Sequence, residues 1–344
     1  MGDTRSVTIY DVAQLAGVSP RTVTRAFQKD APINGDTRRR ILEIAERTGY
    51  SPNLAASRIR GRELVIGVVC TNKVEAFTSE LLCGFREAEE QLKSLKTRVL
   101  YRLCADADEE TERLCSLANE GVDGLVRYSP FPIRRQAAAL LGEKRLPCVN
   151  VCFETDGPSA ISSISVDTDL KGRLLCSMLS LLCPGGRVAV FTGDRSTQHH
   201  LSTLRGFLAE AADCGLTVEA VYDTKDDARL AADMARDLLD NHPCDGAAFT
   251  SANSCAAIEV FCEREAGLRI IGADVFPQLS EYIRSGVVTA TIYQNPKKQS
   301  RMALLNMYRH LAEGRELPER LLITPQIVLK SNLSVYTSDV DNRY

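Results

Sequence analysis

The chain has 344 residues, which exceeds the length at which one hydrophobic core usually stops growing, so more than one domain is expected. With 44% apolar and 25% charged residues and no polar low-complexity tract, the composition excludes a mainly disordered protein. The N-terminus lacks the apolar core of a signal peptide, and no later stretch reaches about 18 uninterrupted apolar residues. We therefore expect a cytoplasmic protein that does not contact membranes.

The net charge of −3 is unevenly distributed along the chain. Residues 1–60 hold ten Lys and Arg against six Asp and Glu, which leaves a net charge of −7 for the remainder. A basic head on an acidic body is expected when only the head meets a polyanion.

The twelve cysteines are spread through apolar runs, and none forms a CxxC motif or another spacing typical of metal ligands. We interpret them as buried, reduced thiols.

His199 and His200 are adjacent, so on a helix or a strand they point apart and cannot easily bind one metal ion. We expect neither a metal site nor a cofactor.

The first fifty residues predict three short helices. Residues 9–16 carry apolar side chains at spacings of three and four, and Gly17 supplies a helix stop. Ser19 and Pro20 are an N-cap and first-turn signal for a second helix. Two helices joined by about three residues form a helix-turn-helix. A third helix is predicted over residues 34–49.

The placement of basic residues favours contact between these helices and DNA. Arg21, Thr22 and Arg25 lie on the early, outward part of the second helix, where a recognition helix presents hydrogen-bond donors to base edges. Residues 38–40 are three arginines that can reach phosphates. The alternative is a small helical bundle with no nucleic-acid role.

The run VTIYDVAQLAGVSPRTVTRAF, followed by TRRRILEIAERTGYSPNLAASRIRG, resembles the headpiece and hinge of the lactose-repressor (LacI/GalR) family over residues 7–61 without a gap. In that family a hinge helix enters the minor groove at the operator centre, and a leucine inserts into a base step. The matching segment here is Asn53 to Arg60, with Ile59 where leucine is usual. The alternative is an ordinary charged linker. The resemblance implies the following DNA-contacting residues: Thr8, Tyr10, Ser19, Pro20, Arg21, Thr22, Thr24, Arg25, Asn53, Ala56, Ile59 and Arg60.

The body alternates short β-branched runs with helical stretches, which predicts parallel sheets with helices on both faces. The pattern restarts at residue 187, so we expect two α/β lobes with a cleft between them. The family's periplasmic-binding-protein fold has this form, with lobe crossings near residues 167, 294 and 325.

The predicted fold is thus an all-α helix-turn-helix headpiece followed by a two-lobed α/β domain. The expected boundaries are 1–52 for the headpiece, 53–62 for the hinge helix and linker, 63–337 for the effector-binding and dimerisation domain, and 338–344 for a tail. Within that domain, lobe 1 is expected at about 63–166 and 295–324, and lobe 2 at about 167–294 and 325–337.

Polar residues at the carboxyl ends of predicted strands are candidates for contact with a ligand. Asp274 and Asn253 match polar contact positions of sugar-responsive relatives, and Gln294 ends a strand at a lobe crossing. Phe77 follows the first strand, where the family places a stacking ring. Each of these residues could instead be a helix cap or a contact between lobes.

Arg127 and Tyr128 end another predicted strand and could also face the cleft. The family usually has RxxGF after the fifth strand region, with the arginine projecting into the cleft, whereas this chain has TLRGF and places Thr203 there. The bidentate grip of that arginine is therefore missing, or is supplied by a residue such as Arg127, His199 or Arg195.

Taken together, these features favour a sequence-specific transcription regulator, by resemblance a repressor. It is expected to bind a pseudopalindromic double-stranded operator as a homodimer and to respond to a small-molecule effector, a carbohydrate. A sugar-binding transport protein would share the body but would need a signal peptide in place of the basic head. A cytosolic enzyme is the third possibility, but there is no GxSxG, GxxxxGK[ST] or phosphate-binding GxGxxG motif, so we expect no catalytic residues.

Overall fold

The computed structural model describes residues 9–27, 31–48, 63–153 and 159–337, which fall into two compact units. The smaller unit, residues before 64 together with 308–316, has helices but no strand in its described part, and the larger unit contains two sheets. The hinge expected over 53–62 and the tail expected over 338–344 lie outside the described residues.

The described residues before 64 contain three helices: α1 (Ile9–Ala16), α2 (Pro20–Ala26) and α3 (Gly35–Thr48). Gly17 makes the turn after α1 with φ of +62°, a left-handed conformation that glycine adopts without steric cost. Ser19 caps α2, because its hydroxyl accepts a hydrogen bond from the backbone N–H of Thr22 at 3.2 Å.

The third helix begins at a second cap. The side-chain oxygen of Asn34 accepts hydrogen bonds from the backbone N–H groups of Asp36 at 2.9 Å and Thr37 at 3.2 Å. Apolar side chains from all three helices then meet in a small core of buried residues: Val12, Ala13, Ala16, Val23, Ala26, Ile41 and Ile44. Two short helices at a tight turn, supported by a third, form a helix-turn-helix.

The larger unit contains twelve strands in two sheets among the described residues. The first part of the unit contributes β1 (Leu64–Thr71), β2 (Thr97–Cys104), β3 (Gly124–Tyr128), β4 (Cys148–Val151) and β5 (Ala160–Val166). The second part contributes β6 (Arg187–Thr192), β7 (Thr217–Asp223), β8 (Gly246–Phe249), β9 (Arg269–Ala273), β10 (Ala290–Tyr293), β11 (Arg320–Ile323) and β12 (Gln326–Leu329).

The strand order of the first sheet is β11-β5-β4-β3-β1-β2, with parallel pairing throughout. The second sheet has the order β12-β10-β9-β8-β6-β7, and only the β10–β12 pair is antiparallel. We call each sheet with its helices the first and the second lobe. The chain passes between the lobes after β5, after β10 and after β11.

The helices of the larger unit are α4 (Glu75–Leu92), α5 (Ala107–Glu120), α6 (Arg135–Lys144), α7 (Thr168–Leu182), α8 (Gln198–Cys214), α9 (Ala228–Asn241), α10 (Cys255–Glu263), α11 (Pro277–Ser285), α12 (Pro296–Tyr308) and α13 (Ser334–Thr337). Apolar cores lie on both faces of the second sheet, one against α7 and α8 and the other against α9 to α11. Strands buried on both faces explain the continuous apolar runs in the sequence.

Helices α7 and α8 approach each other at two glycines. A Cβ atom added at Gly172 would clash with the carbonyl oxygen of Thr203, and one added at Gly206 would clash with the carbonyl oxygen of Asp169. The two helix backbones are therefore in direct contact at these positions.

No helix in the described part of the chain is both long enough and apolar enough to cross a lipid bilayer.

Candidate ligand cavity and nucleic-acid interface

A cavity of about 50 Å³ lies within the larger unit, where the strands of both sheets end. Thr71 and Tyr128 are the last residues of β1 and β3, and they line the cavity from the first lobe. Thr250, Asp274 and Gln294 follow β8, β9 and β10, and they line it from the second lobe. Ligands of parallel α/β sheets bind at this carboxyl edge. The cavity is therefore the candidate ligand site.

Four of the seven residues predicted to contact an effector line this cavity: Phe77, Tyr128, Asp274 and Gln294. The other three, Arg127, Thr203 and Asn253, are not among its lining residues.

Arg127 is only 1% exposed and is directed into the first lobe. Its Nε donates to one carboxylate oxygen of Glu110 at 2.6 Å, and its Nη2 donates to the other at 3.0 Å. The same Nη2 donates to the Ser129 hydroxyl and to the carbonyl oxygen of Phe131. The expectation that Arg127 faces the cleft is therefore corrected: its donors hold α5 and the loop after β3.

Thr203 and Asn253 also have structural partners. Thr203 is fully buried on α8, and its hydroxyl donates to the carbonyl oxygen of His199 at 3.0 Å. The amide of Asn253 donates to the carbonyl oxygen of Asp226 and so joins the loops after β8 and β7. Neither side chain supplies the contact that the missing arginine would make.

A row of aromatic rings forms one wall of the cavity. The ring centroids of Phe77 and Tyr128 are 5.7 Å apart, those of Tyr128 and Phe153 are 5.5 Å apart, and those of Phe153 and His199 are 5.6 Å apart. Burial raises the pKa of Tyr128 well above its usual value, so its hydroxyl stays protonated. The wall offers flat apolar surface with one hydroxyl.

Asp274, Gln294 and His199 form a hydrogen-bonded chain that ends on the first lobe. The Asp274 carboxylate accepts from the backbone N–H of Gln294 at 3.1 Å and from its Nε2 at 2.6 Å. The Oε1 of Gln294 lies 3.1 Å from His199 Nε2, and His199 Nδ1 lies 3.2 Å from the carbonyl oxygen of Cys152. Burial lowers the pKa of His199 well below its usual value and raises that of Asp274. A neutral imidazole donates to only one of its two oxygen neighbours.

A second cluster is centred on Asp226. Its carboxylate lies 3.4 Å from His200 Nε2 and accepts from the Ser251 hydroxyl at 2.6 Å. Burial alone would raise the pKa of Asp226, but the hydrogen bond and charge of His200 and the bond from Ser251 hold it well below its usual range. A Cβ atom at Gly193 would clash with both Asp226 and His200, so this contact depends on a glycine.

Two lysines face the carboxylates of the site. The Nζ of Lys73, in the loop after β1, lies 3.4 Å from Asp194 Oδ2 in the loop after β6, and this pair bridges the lobes. Lys171 is fully buried, and its Nζ donates to the carbonyl oxygen of Thr250 at 2.8 Å. Burial lowers the pKa of Lys171 to about 8.

Sequence reasoning missed Asp194, Asp226, Lys171 and Phe153. The signal for two of them was present, since Asp194 and Asp226 closely follow β6 and β7, as Asp274 follows β9. Nothing in the sequence pattern distinguishes Lys171 or Phe153 from an ordinary helix lysine and loop aromatic.

The second candidate surface is the outer face of α2. Val23 and Ala26 are buried in the helical core, whereas Arg21 and Arg25 are exposed one turn apart on the other side. Tyr10 on α1 is 68% exposed. The remaining predicted contacts in the described part are Ser19, Pro20, Thr22 and Thr24, and those outside it are Thr8, Asn53, Ala56, Ile59 and Arg60.

In the part of the chain that the structure describes, no group of three or more His, Cys, Asp or Glu side chains is arranged to hold a metal ion.

Two family models match the chain. The model described as "Bacterial regulatory proteins, lacI family" matches residues 8–53, and the model described as "Periplasmic binding protein domain" matches residues 66–316. The first match covers the helix-turn-helix, and the second covers most of the two-lobed unit.

Among similar proteins, the HTH-type transcriptional regulator DegA of Bacillus subtilis is 25% identical over 344 residues, which cover 95% of this chain and 98% of that protein. The HTH-type transcriptional repressor PurR of Haemophilus influenzae is 24% identical over 343 residues, with coverages of 95% and 98%. Among solved structures, GanP, a glucose-galactose binding protein of Geobacillus stearothermophilus, has a TM-score of 0.68 and 22% identity, covering 79% of this chain and 99% of that one. At that identity the structural likeness shows the fold alone.

Proposed function

The chain belongs to the lacI family of bacterial regulatory proteins, and we propose that it represses transcription by binding a double-stranded operator under the control of a small carbohydrate effector. The observation that carries this proposal is the presence, in one chain, of exposed arginines on a helix-turn-helix and a cavity lined by aromatic rings and carboxylates at the strand ends.

The exposed face of α2 suits the major groove. Arg21 and Arg25 present guanidinium groups, which bind guanine edges in bidentate fashion, and the N-terminal end of such a helix lies closest to the bases. Arg39 on α3 is also exposed and can approach phosphates. Repression, rather than activation, is proposed by analogy with relatives such as PurR, which is described as a repressor.

The lining of the cavity suits a carbohydrate. Phe77, Tyr128 and Phe153 offer ring faces for the apolar side of a sugar, while Asp226 and Asp274 offer acceptors for its hydroxyl groups. A site of mostly apolar surface with a few converging polar groups is typical of small-ligand pockets. GanP, which shares the fold, is described as a glucose-galactose binding protein.

Effector binding is proposed to act by moving the lobes. One water molecule requires roughly 10–15 Å³ of such a cavity, so 50 Å³ holds only a few waters. A sugar therefore enters only if the lobes separate or the His199 ring leaves its contacts with Cys152 and Gln294. An effector shifts the equilibrium by its different affinity for the two arrangements.

The functional unit is proposed to be a cytoplasmic homodimer. A single headpiece makes few contacts, and two-fold symmetry matches a pseudopalindromic operator. Sedimentation at micromolar concentration is expected to show a dimer. A monomer with full operator affinity would contradict this.

The whole proposal is tested by two measurements on the full chain. An operator is first selected from random duplexes, and binding to it is expected to be at least about a thousandfold tighter than to unselected DNA. Thermal shift is then measured with sugars, polyols, sugar phosphates and nucleobases, since a ligand at 100 times its Kd adds about 2.7 kcal/mol of stability. A ligand that stabilises the protein and changes operator affinity supports the proposal, and the absence of any selected DNA sequence refutes it.

A further inference from the structure

Carboxylates outnumber cationic side chains among the described residues that line the cavity. Among the described residues that line it, the carboxylates are Asp194, Asp226 and Asp274, and Lys73 is the only lysine or arginine. Lys73 pairs with Asp194 across the lobes at 3.4 Å. The buried Lys171 lies within electrostatic reach of both Asp274 and Asp226, and it donates to the carbonyl oxygen of Thr250. Lys225 also lies 3.6 Å from Asp194, but neither Lys225 nor Lys171 is among the residues that line the cavity, so the described lining itself has three carboxylates and one lysine.

The direct contacts of the Asp226 carboxylate are a histidine and two neutral donors. Its carboxylate contacts His200 Nε2, the Ser251 hydroxyl and the backbone N–H of Asp194. The Nδ1 of His200 is buried and has no hydrogen-bond partner among the described residues. A buried polar atom without a hydrogen-bond partner is costly, so Nδ1 of this cavity-lining ring is a candidate contact for a ligand.

Guanidinium groups are absent from the described lining. Arg127 is held by Glu110, and Arg195 is 45% exposed beside Asp223 rather than in the cavity. A phosphate or a sugar carboxylate would therefore meet carboxylates without the bidentate partner that binds such anions.

The aromatic wall of the cavity also favours a cationic ligand over an anionic one. The faces of Phe77, Tyr128 and Phe153 carry the negative side of the ring quadrupole, which attracts a cation. A protonated amine would meet these faces and the Asp226 carboxylate together. Resting on the proposed sugar effector site, we infer that this cavity selects an amino-substituted carbohydrate over its neutral parent and rejects its acidic counterparts.

The test uses matched ligand sets that differ only in charge. Glucosamine, glucose, glucuronate and glucose 6-phosphate form one set, and galactosamine and mannosamine head two similar sets. Calorimetry on the full-length protein is expected to give a Kd for at least one amino sugar about tenfold lower than for its neutral parent, with no binding of the acids. Equal or tighter binding of the neutral or acidic member overturns the inference, as does failure of every amino sugar to bind.

Two variants separate the charge effect from a loss of folding. Asp226→Asn is expected to reduce the amine preference from about tenfold to about one. Lys73→Ala removes the one lysine in the described lining and is expected to increase the preference. Asp233→Asn on the outer face of α9, where the carboxylate is 73% exposed, makes the same charge change and should leave the preference unaltered. If Lys73→Ala leaves the amine preference unaltered, as Asp233→Asn is expected to do, the charged side chains of the cavity do not select the ligand.

The inference and the proposed function fail in different ways. A neutral sugar that binds best and changes operator affinity leaves the regulator intact and removes only the amine preference. A protein that binds an amino sugar but no operator sequence supports the cavity chemistry and removes the regulatory role.

Discussion

The guanidinium of Arg127 and the carboxylate of Glu110 are 1% and 2% exposed, and each saturates much of the hydrogen-bonding capacity of the other. Arg127→Met should lower the free energy of unfolding by about 3–5 kcal/mol, because it leaves a buried carboxylate without its partner. Denaturant unfolding followed by circular dichroism measures this change.

The double variant Arg127→Met/Glu110→Leu should recover most of that loss, because it removes both buried charges. The exposed pair of Arg134 and Asp108 serves as the control, and Arg134→Met should change the stability by less than about 1 kcal/mol. Similar losses for Arg127→Met and Arg134→Met would show that burial is not the cause.

Asp274 lines the cavity directly after β9, so replacing it tests the proposed effector site. Asp274→Ala should abolish the effector response, because it removes both oxygens that hold Gln294 in the cavity wall. The operator affinity without effector should stay within about twofold of the parent, which gel-shift titration measures. Asn253→Ala, whose side chain does not line the cavity, should keep the effector response. If both variants respond normally, the ligand is not held at this strand end.

The rule that strand ends bear ligand contacts selected Asp274, Gln294, Phe77 and Tyr128, all of which line the cavity. It failed for Arg127 because the rule gives the position of a residue but not the direction of its side chain, and a buried acid on α5 determines that direction. The partners of a buried charge come from distant parts of the chain, so local pattern does not reveal them.

At the scale of elements, α2 and α3 carry arginines with different expected roles. Arg25→Ala should weaken specific operator binding far more than non-specific binding, since base-edge contacts carry the sequence information. Arg39→Ala should weaken both and reduce the dependence of log K on log salt by about one unit. Binding titrations on operator and random duplexes at several salt concentrations distinguish the two. Equal losses on both duplexes for each variant would contradict the assignment.

The headpiece helices were predicted well because caps and a first-turn proline act within a few residues of the helix end. Ser19, Pro20 and Asn34 occupy the caps and first turn that their side chains and ring geometry favour. The sheets were predicted as parallel, and all but one pair are. The exception is β12, which pairs antiparallel with β10 after the chain has passed through α12 and β11 of the other sheet. No periodicity in a four-residue strand signals its direction.

For the whole molecule, the buried thiols predict alkaline sensitivity. Burial raises the pKa of Cys148, Cys176 and Cys255 from 9.0 to about 12. A group whose pKa is raised by folding contributes stability that is complete below its unfolded value and is lost as the pH rises through the folded value. The free energy of unfolding should therefore fall above pH 9, by roughly 1.4 kcal/mol per buried thiol at pH 10. Lys171 acts in the opposite direction between pH 8 and 10.5, but it is one group against several.

Urea unfolding at pH 8.5 to 10 under reducing conditions measures this slope. Cys148→Ala should make the decline shallower, whereas Cys83→Ala, at an exposed position, should not change it. A slope that is the same in all three proteins would mean that the buried thiols do not cause the decline.

The direct backbone contact of α7 with α8 limits how this cavity can evolve. In the family that the headpiece resembles, the position of Thr203 usually carries an arginine, but here its carbonyl oxygen lies against Gly172 and its side chain is fully enclosed. A single substitution of Thr203 by arginine is not expected to place a guanidinium in the cavity, because the long side chain has no space until the helices separate. New ligand preferences are therefore more accessible through the loops that carry Asp194, Asp226 and Phe153 than through an arginine at position 203.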